Sequence, residues 1–167
     1  GLPERSAAWK IASNKRNFVD LKIEKLGKTI TVKTNYKLNN IKSDYSIVYV
    51  VHPNGKIEVS TKFNYGGNLK DAEMPRFGIN FNIPDEFDKA TWYGRGPHEN
   101  YIDRMSSAFV GYYESAVENL KFDYSRPQEN GYRTENRWLR MVNLNGKGFE
   151  IKGNPLFSFG AHFNTIE

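Results

Sequence analysis

The sequence predicts an all-β protein, an antiparallel β-sandwich, on three observations. Apolar residues recur with a period of two rather than three to four. The candidate strands are short and evenly spaced, with Gly, Pro and Asn between them. Apart from a helical turn or two at 115–121, no segment has helical periodicity, and a parallel sheet needs crossover helices of about ten or more residues.

Taken in order, Ile30, Val32, Thr34, Tyr36 and Leu38 define one face of a strand. Lys28, Thr31, Lys33, Asn35 and Lys37 fall on turns or on the opposite, wet face, so this strand packs on one side. Runs at 44–52 and 56–64 flank His52-Pro-Asn-Gly-Lys56, where Asn54-Gly55 supplies the positive backbone angles of a tight hairpin. Pro53 leaves the loop length open, and a slip of one residue would exchange the two faces. Further strands are expected at 77–83, 89–94, 107–113, 132–142, 148–152 and 156–163. There is no internal repeat. The stretch Asn64-Tyr-Gly-Gly-Asn68 is the best candidate boundary and reads as a loop inside a single domain, 1–167.

At 167 residues the chain is long enough to bury a core without disulfides, and it has no Cys to make one. Its ten Tyr, eleven Phe and three Trp lie among polar residues, with no run long enough for a membrane-spanning helix and no signal segment. Gly1-Leu2-Pro3, without an initiator Met, reads as the start of an excised or processed piece. The net charge of +5 is scattered rather than striped, as with Lys28, Lys33 and Lys37 along one strand, and no nucleic-acid-binding signature accompanies it. Neither a nucleic-acid nor a membrane partner is expected.

The residues that could carry chemistry are few. His52, His98 and His162 lack the close spacing of a metal site, so no metal or other cofactor is expected in this chain. There is no Gly-x-Ser-x-Gly elbow, no Cys nucleophile and no phosphate-binding loop. Glu99, Asp103, Glu129 and Glu135 raise the question of a glycosidase pair, which needs two carboxyl groups roughly 5 to 9 Å apart. In Glu99-Asn-Tyr-Ile-Asp-Arg104, however, carboxylates can cap a turn or pair with Arg95, Arg104 or Arg133. Arg pairing lowers a carboxyl pKa, the opposite of what a general acid needs. Arg133, Glu135 and Arg137 alternate and should project from one strand face. Tyr93, Arg95, Glu99, Tyr101, Glu129, Arg133 and His162 are the candidate carbohydrate contacts, joining charge-assisted donors and acceptors to flat rings; Trp92 reads as core. No catalytic residue is assigned.

Three ordered motifs carry a family resemblance. Met74-Pro-Arg-Phe-Gly78, Thr91-Trp-Tyr-Gly-Arg-Gly-Pro-His-Glu-Asn-Tyr-Ile-Asp-Arg104 and Gln128-Glu-Asn-Gly131 with Arg133 resemble the C-terminal β-sandwich, or small-chain domain, of glycoside hydrolase family 2 β-galactosidases. The flanks fit more loosely. The resemblance implies a galactose mutarotase-like supersandwich that packs on a separate catalytic barrel domain holding both catalytic glutamates. It also implies that the sandwich shapes the rim of the β-galactoside pocket. The complete enzyme is expected to be a bacterial cytoplasmic or periplasmic retaining glycosidase that uses Mg and Na ions, for which this chain shows no ligand set. In the family the sandwich continues past the position of Glu167 into a Gly-Gly-Asp-Asp-x-Trp segment, so this chain reads as an incomplete domain with uncovered edges open to homo-oligomerisation. Two other readings stand beside it. One is a free-standing carbohydrate-binding or mutarotase-like sandwich using His98 or His162 with Glu99, although His98 and Glu99 would diverge in a strand. The other is a purely architectural domain.

Overall fold

The structure is a computed structural model and describes residues 6–67, 74–126 and 128–164. The protein is all-β, with two four-stranded antiparallel sheets, consistent with a β-sandwich. The chain divides into two compact units, one ending at Ile79 and the next starting at Asn80, each holding one sheet. Asn68 of the expected boundary stretch lies outside the described residues.

The first unit is a meander of β1 (Asn17–Leu26), β2 (Thr29–Leu38), β3 (Ser43–Val51) and β4 (Ile57–Asn64), paired in that order. Its β2 face is the one the alternation predicts: Leu38 shares it with Tyr36, which stands opposite Tyr45, itself opposite Phe63. Leu38, Tyr45 and Phe63 pack with Ala8, Trp9, Ala12 and Ile41, which come from the short helix α1 (Ala7–Lys10), the chain just after it and a 3₁₀ turn at Asn39–Ile41. Strand β1 escapes the periodicity reading. A bulge between Phe18 and Asp20 brings Phe18 to the same face as Leu21 and Ile23 despite the odd spacing from 18 to 21, and a single extra residue is enough to break an alternating sequence pattern.

The β3–β4 hairpin shows what Pro53 does. Gly55 N–H donates to the His52 carbonyl (3.1 Å) and His52 N–H to the Lys56 carbonyl (2.9 Å), closing a three-residue loop. Gly55 alone takes a positive φ, +85°, while Asn54 does not. This is a type I turn followed by a bulge, which suits Pro at its second position, rather than the two-residue turn that Asn-Gly suggests. The second unit repeats the device at Asn143-Leu-Asn-Gly-Lys147, with the same two bonds and Gly146 at φ +72°.

The second unit orders its strands β6-β5-β7-β8, where β5 is Lys89–Gly96, β6 Phe109–Ala116, β7 Arg133–Val142 and β8 Gly148–Phe159. Alternate residues Ala90 and Trp92 of β5 and Leu139 and Met141 of β7 turn inward. Val117, Leu120 and Phe159 complete the core. The indole N–H of Trp92 donates to the Arg95 carbonyl (3.1 Å), so the largest buried ring leaves no polar atom unpaired.

Two expectations need correction. Residues 77–83 form no strand: Phe77, Ile79, Phe81 and Ile83 alternate, but among the described residues no neighbouring strand pairs with them. A period of two records how side chains are distributed and not whether a partner strand is present. The runs at 148–152 and 156–163 are one strand ending at Phe159, continuous through Pro155. Ser115–Lys121 does contain the expected helical turn, as a 3₁₀ turn at Val117–Asn119.

Candidate functional site

Strand β5 leads out of the sheet into the first polar turn, and the second polar turn leads into β7. The two turns are tied together at Asn100, which is fully buried. Its backbone N–H donates to the Tyr132 carbonyl (2.8 Å). Its side-chain oxygen accepts from the Thr134 N–H (3.0 Å) and hydroxyl (2.6 Å), and its amide nitrogen donates to the His98 carbonyl (3.0 Å). A buried amide with both ends satisfied fixes one arrangement of the two segments.

Glu99, whose side chain is only 8% exposed, is the electrostatic centre. One carboxylate oxygen accepts from Arg104 Nη2 (2.9 Å) and from the Tyr124 hydroxyl; the other accepts the Gly131 N–H (2.6 Å). Gly131 is buried at φ +74°, and a Cβ there would stand 2.7 Å from His162 Cε1 and 3.0 Å from the Leu120 carbonyl, so the second turn requires Gly on both counts. His162 thus lies against the Glu99–Gly131 contact. Arg133, 4% exposed, donates to the carbonyls of Leu120 (2.7 Å), Gly131 (2.8 Å) and Pro97 (3.1 Å). Burial pushes its pKa down to about 10, against the pull of the Glu99 charge.

Tyr101 stacks on Tyr132 with ring centres 5.4 Å apart and carries the Arg104 guanidinium 4.5 Å from its ring centre. Burial first, then the Glu99 and Glu129 charges, push its hydroxyl up to about 12. A phenol raised in the fold contributes stability that is complete below pH 10 and is lost as the pH climbs from about 10 to 12, where the unfolded chain ionises first. Arg133 acts in the opposite sense over about 10 to 12.5. Tyr101→Phe is therefore expected to flatten the alkaline loss of stability; equilibrium unfolding at pH 9 and 11 checks it, with a steeper loss in the variant as the contrary result.

Among the seven candidate residues, Glu99, Tyr101, Glu129, Arg133 and His162 fall around the two turns by these contacts and charge effects. Arg95 and Tyr93 are occupied elsewhere. Arg95 donates to Glu135 (2.8 Å) and to the carbonyls of Met105 (3.3 Å) and Ala108 (2.7 Å), holding the end of the first turn. Tyr93 stacks on Tyr112 with ring centres 4.5 Å apart and planes 6° apart, under the Arg137 guanidinium.

The expected single-face row of Arg133, Glu135 and Arg137 does not form. The β7–β8 register shifts between Arg133 and Asn136 and again before Trp138, and Glu135 takes φ +53°. Arg133 is thereby turned inward, Glu135 meets Arg95, and Arg137 lies over Tyr93. His98 and Glu99 do not diverge, because residues 97–100 lie beyond the strand and its alternation. Both line an open pocket of about 370 Å³, together with Glu114, Lys121, Phe122 and Arg133. His98 Nε2 sits 3.1 Å from the Ser107 hydroxyl.

Sequence reasoning did not single out Asn100, Thr134 or Tyr124. The Glu-Asn-Tyr triplet marks a turn, but Tyr124 and Thr134 lie more than twenty residues from it, and only the fold brings them together. Pro127, in the second turn, lies outside the described residues. Among the described residues no three His, Asp or Glu side chains come together as a metal-holding group.

The family model described as the β-galactosidase small chain matches residues 3–167. A β-galactosidase of Priestia megaterium is 31% identical over 160 residues, covering 96% of this chain and 15% of the relative. That of Streptococcus thermophilus is 30% identical over 169 residues, covering 100% and 16%, and that of Lactobacillus delbrueckii subsp. bulgaricus is 34% identical over 149 residues, covering 89% and 14%. The chain thus spans about 15% of the length of the curated relatives it matches. On the family model and these relatives, the chain belongs to the β-galactosidase small-chain family.

Proposed function

We propose that this chain is the non-catalytic small-chain portion of a family 2 β-galactosidase, which shapes the rim of a β-galactoside pocket when joined to a catalytic barrel domain. The whole enzyme would hydrolyse terminal β-galactosides with retention, through a covalent glycosyl intermediate on the barrel's carboxylates. Mg and Na would be held outside this chain.

The observation that carries the reading is the engagement of Glu99. Three of the about four acceptor positions of the Glu99 carboxylate are already taken, by Arg104, Tyr124 and Gly131, which hold it in place within the two turns. Glu135 is likewise held by Arg95. These groups support a fixed wall better than they support bond cleavage. The pocket beside them offers His98, Glu114 and Lys121 as polar partners and Phe122 as an apolar one, the mixture that sugar hydroxyls and C–H faces require.

The test is made on the isolated chain. With a nitrophenyl β-galactoside it should show only the uncatalysed rate, and it should leave the mutarotation rate of galactose unchanged. Measurable hydrolysis would overturn the non-catalytic assignment; accelerated mutarotation that is lost in His162→Ala would favour a mutarotase-like enzyme instead.

A further inference from the structure

Asn-Gly occurs three times, at Asn54-Gly55, Asn130-Gly131 and Asn145-Gly146. Asparagine before glycine loses its side-chain amide most readily, because no Cβ hinders the glycine nitrogen from closing on the asparagine side chain. That nitrogen forms a bond to the side-chain carbonyl carbon. Its proton passes through water to the carboxamide nitrogen, which leaves as ammonia, and a five-membered imide remains. Water then opens the imide at one carbonyl or the other, giving an aspartyl or an isoaspartyl residue with no redox change. The reaction needs a side chain free to turn and a backbone N–H free to leave its hydrogen bond.

The fold treats the three pairs differently. Asn130 is tethered throughout: its side-chain oxygen accepts the Phe122 N–H (3.1 Å) and its amide nitrogen donates to the Gln128 carbonyl (3.3 Å). The Gly131 N–H that would attack is buried and donates to the Glu99 carboxylate (2.6 Å). The two hairpin pairs share one loop geometry, and both are followed by Lys, so their sequences alone predict similar rates. A Cβ at Gly55 or Gly146 would meet nothing within 4 Å, so crowding does not separate them either. Their caps do. At 52–56 the oxygen of Asn54 itself accepts the Lys56 N–H (3.1 Å). At 143–147 that task falls to Asn143, whose oxygen accepts the N–H groups of Asn145 (3.0 Å) and Lys147 (3.1 Å). Among the described residues no hydrogen bond holds the exposed Asn145 side chain.

We infer that Asn145 is a deamidation site of this chain, and that Glu99 keeps the same dipeptide unreactive at Asn130. The product places a new carboxylate at the tip of the β7–β8 hairpin. In its isoaspartyl form it also adds one backbone atom to a loop that closes through the Gly146–Asn143 and Asn143–Lys147 bonds. The inference uses tethers inside each loop and is independent of the galactoside reading.

The test follows each pair by peptide mass mapping while the full chain is held at mildly alkaline pH, once folded and once in denaturant. In the folded chain the amide-to-acid mass change should appear first at Asn145 and later at Asn54. At Asn130 it should be at least about tenfold slower than in denaturant, since reaction there waits for a local opening. Denaturant should bring the three rates together. Glu99→Gln should speed Asn130 in the folded chain, and Leu139→Ala, a core change that loosens the same unit without touching Glu99, should speed it less. Equal rates at Asn54 and Asn145 in the folded chain, or the same ranking in denaturant, would overturn Asn145 as the favoured site. An Asn130 rate unchanged by Glu99→Gln, or raised as much by Leu139→Ala, would overturn the role of Glu99.

Discussion

Gly94→Ala is expected to destabilise the second unit by about 3 kcal/mol or more. A Cβ on Gly94 would lie 2.0 Å from Asn136 Oδ1, 2.7 Å from its Cγ and 2.9 Å from its Cα. The first two atoms belong to a side chain that cannot swing away. Asn136 is fully buried, and its amide nitrogen donates to the carbonyls of Arg133 (2.8 Å) and Phe157 (3.0 Å), stitching the β7 bulge to β8. The third is backbone. Relief therefore requires moving β7, and with it Arg133 and the floor of the second turn. A urea midpoint well below that of the unsubstituted chain is the expected result. Gly78→Ala is the control, because a Cβ there meets nothing within 4 Å and the change should stay within about 0.5 kcal/mol.

Glu99→Ala is expected to cost about 3 kcal/mol, because it strips the acceptor from three donors at once: Arg104, the Tyr124 hydroxyl and the Gly131 N–H. The surface ion pair alone would be worth little, since the Arg104 side chain is 49% exposed. The buried Gly131 N–H and the buried Arg133 nearby make the difference, as neither has water to fall back on. Glu99→Gln keeps one acceptor oxygen and should recover about half the loss. A double-mutant cycle with Tyr124→Phe should give a coupling near 1 kcal/mol, and additivity within a few tenths would show that the Tyr124 contact contributes nothing.

What was legible in the sequence and what was not divide along local and non-local lines. The β2 face, the hairpin at His52–Lys56 and the strands β5 and β7 follow from patterns within about ten residues, where side-chain alternation and turn chemistry act directly. Strand β1 was lost to one bulge residue, and 77–83 was read as a strand because alternation does not reveal whether a neighbour exists. The reason for Gly94 lies at Asn136, forty-two positions on (136 − 94), and no local rule supplies it. The site divides in the same way. That Glu99 would serve in structural contacts was readable from a turn rich in Arg; which Arg meets which acidic group was not. Arg104 holds Glu99, Arg95 holds Glu135, and Arg133 turns to carbonyls, because the bulge in β7 decides where each guanidinium arrives.

The central claim is that this segment is required by a larger β-galactosidase yet carries none of its bond-breaking groups. The most direct test compares kcat/KM for a β-galactoside in three preparations: the complete parent enzyme, the parent with this segment deleted, and this chain alone. The account predicts a large loss on deletion and only the uncatalysed rate for the chain alone. Turnover by the chain alone, or a deleted parent as active as the complete one, would contradict it.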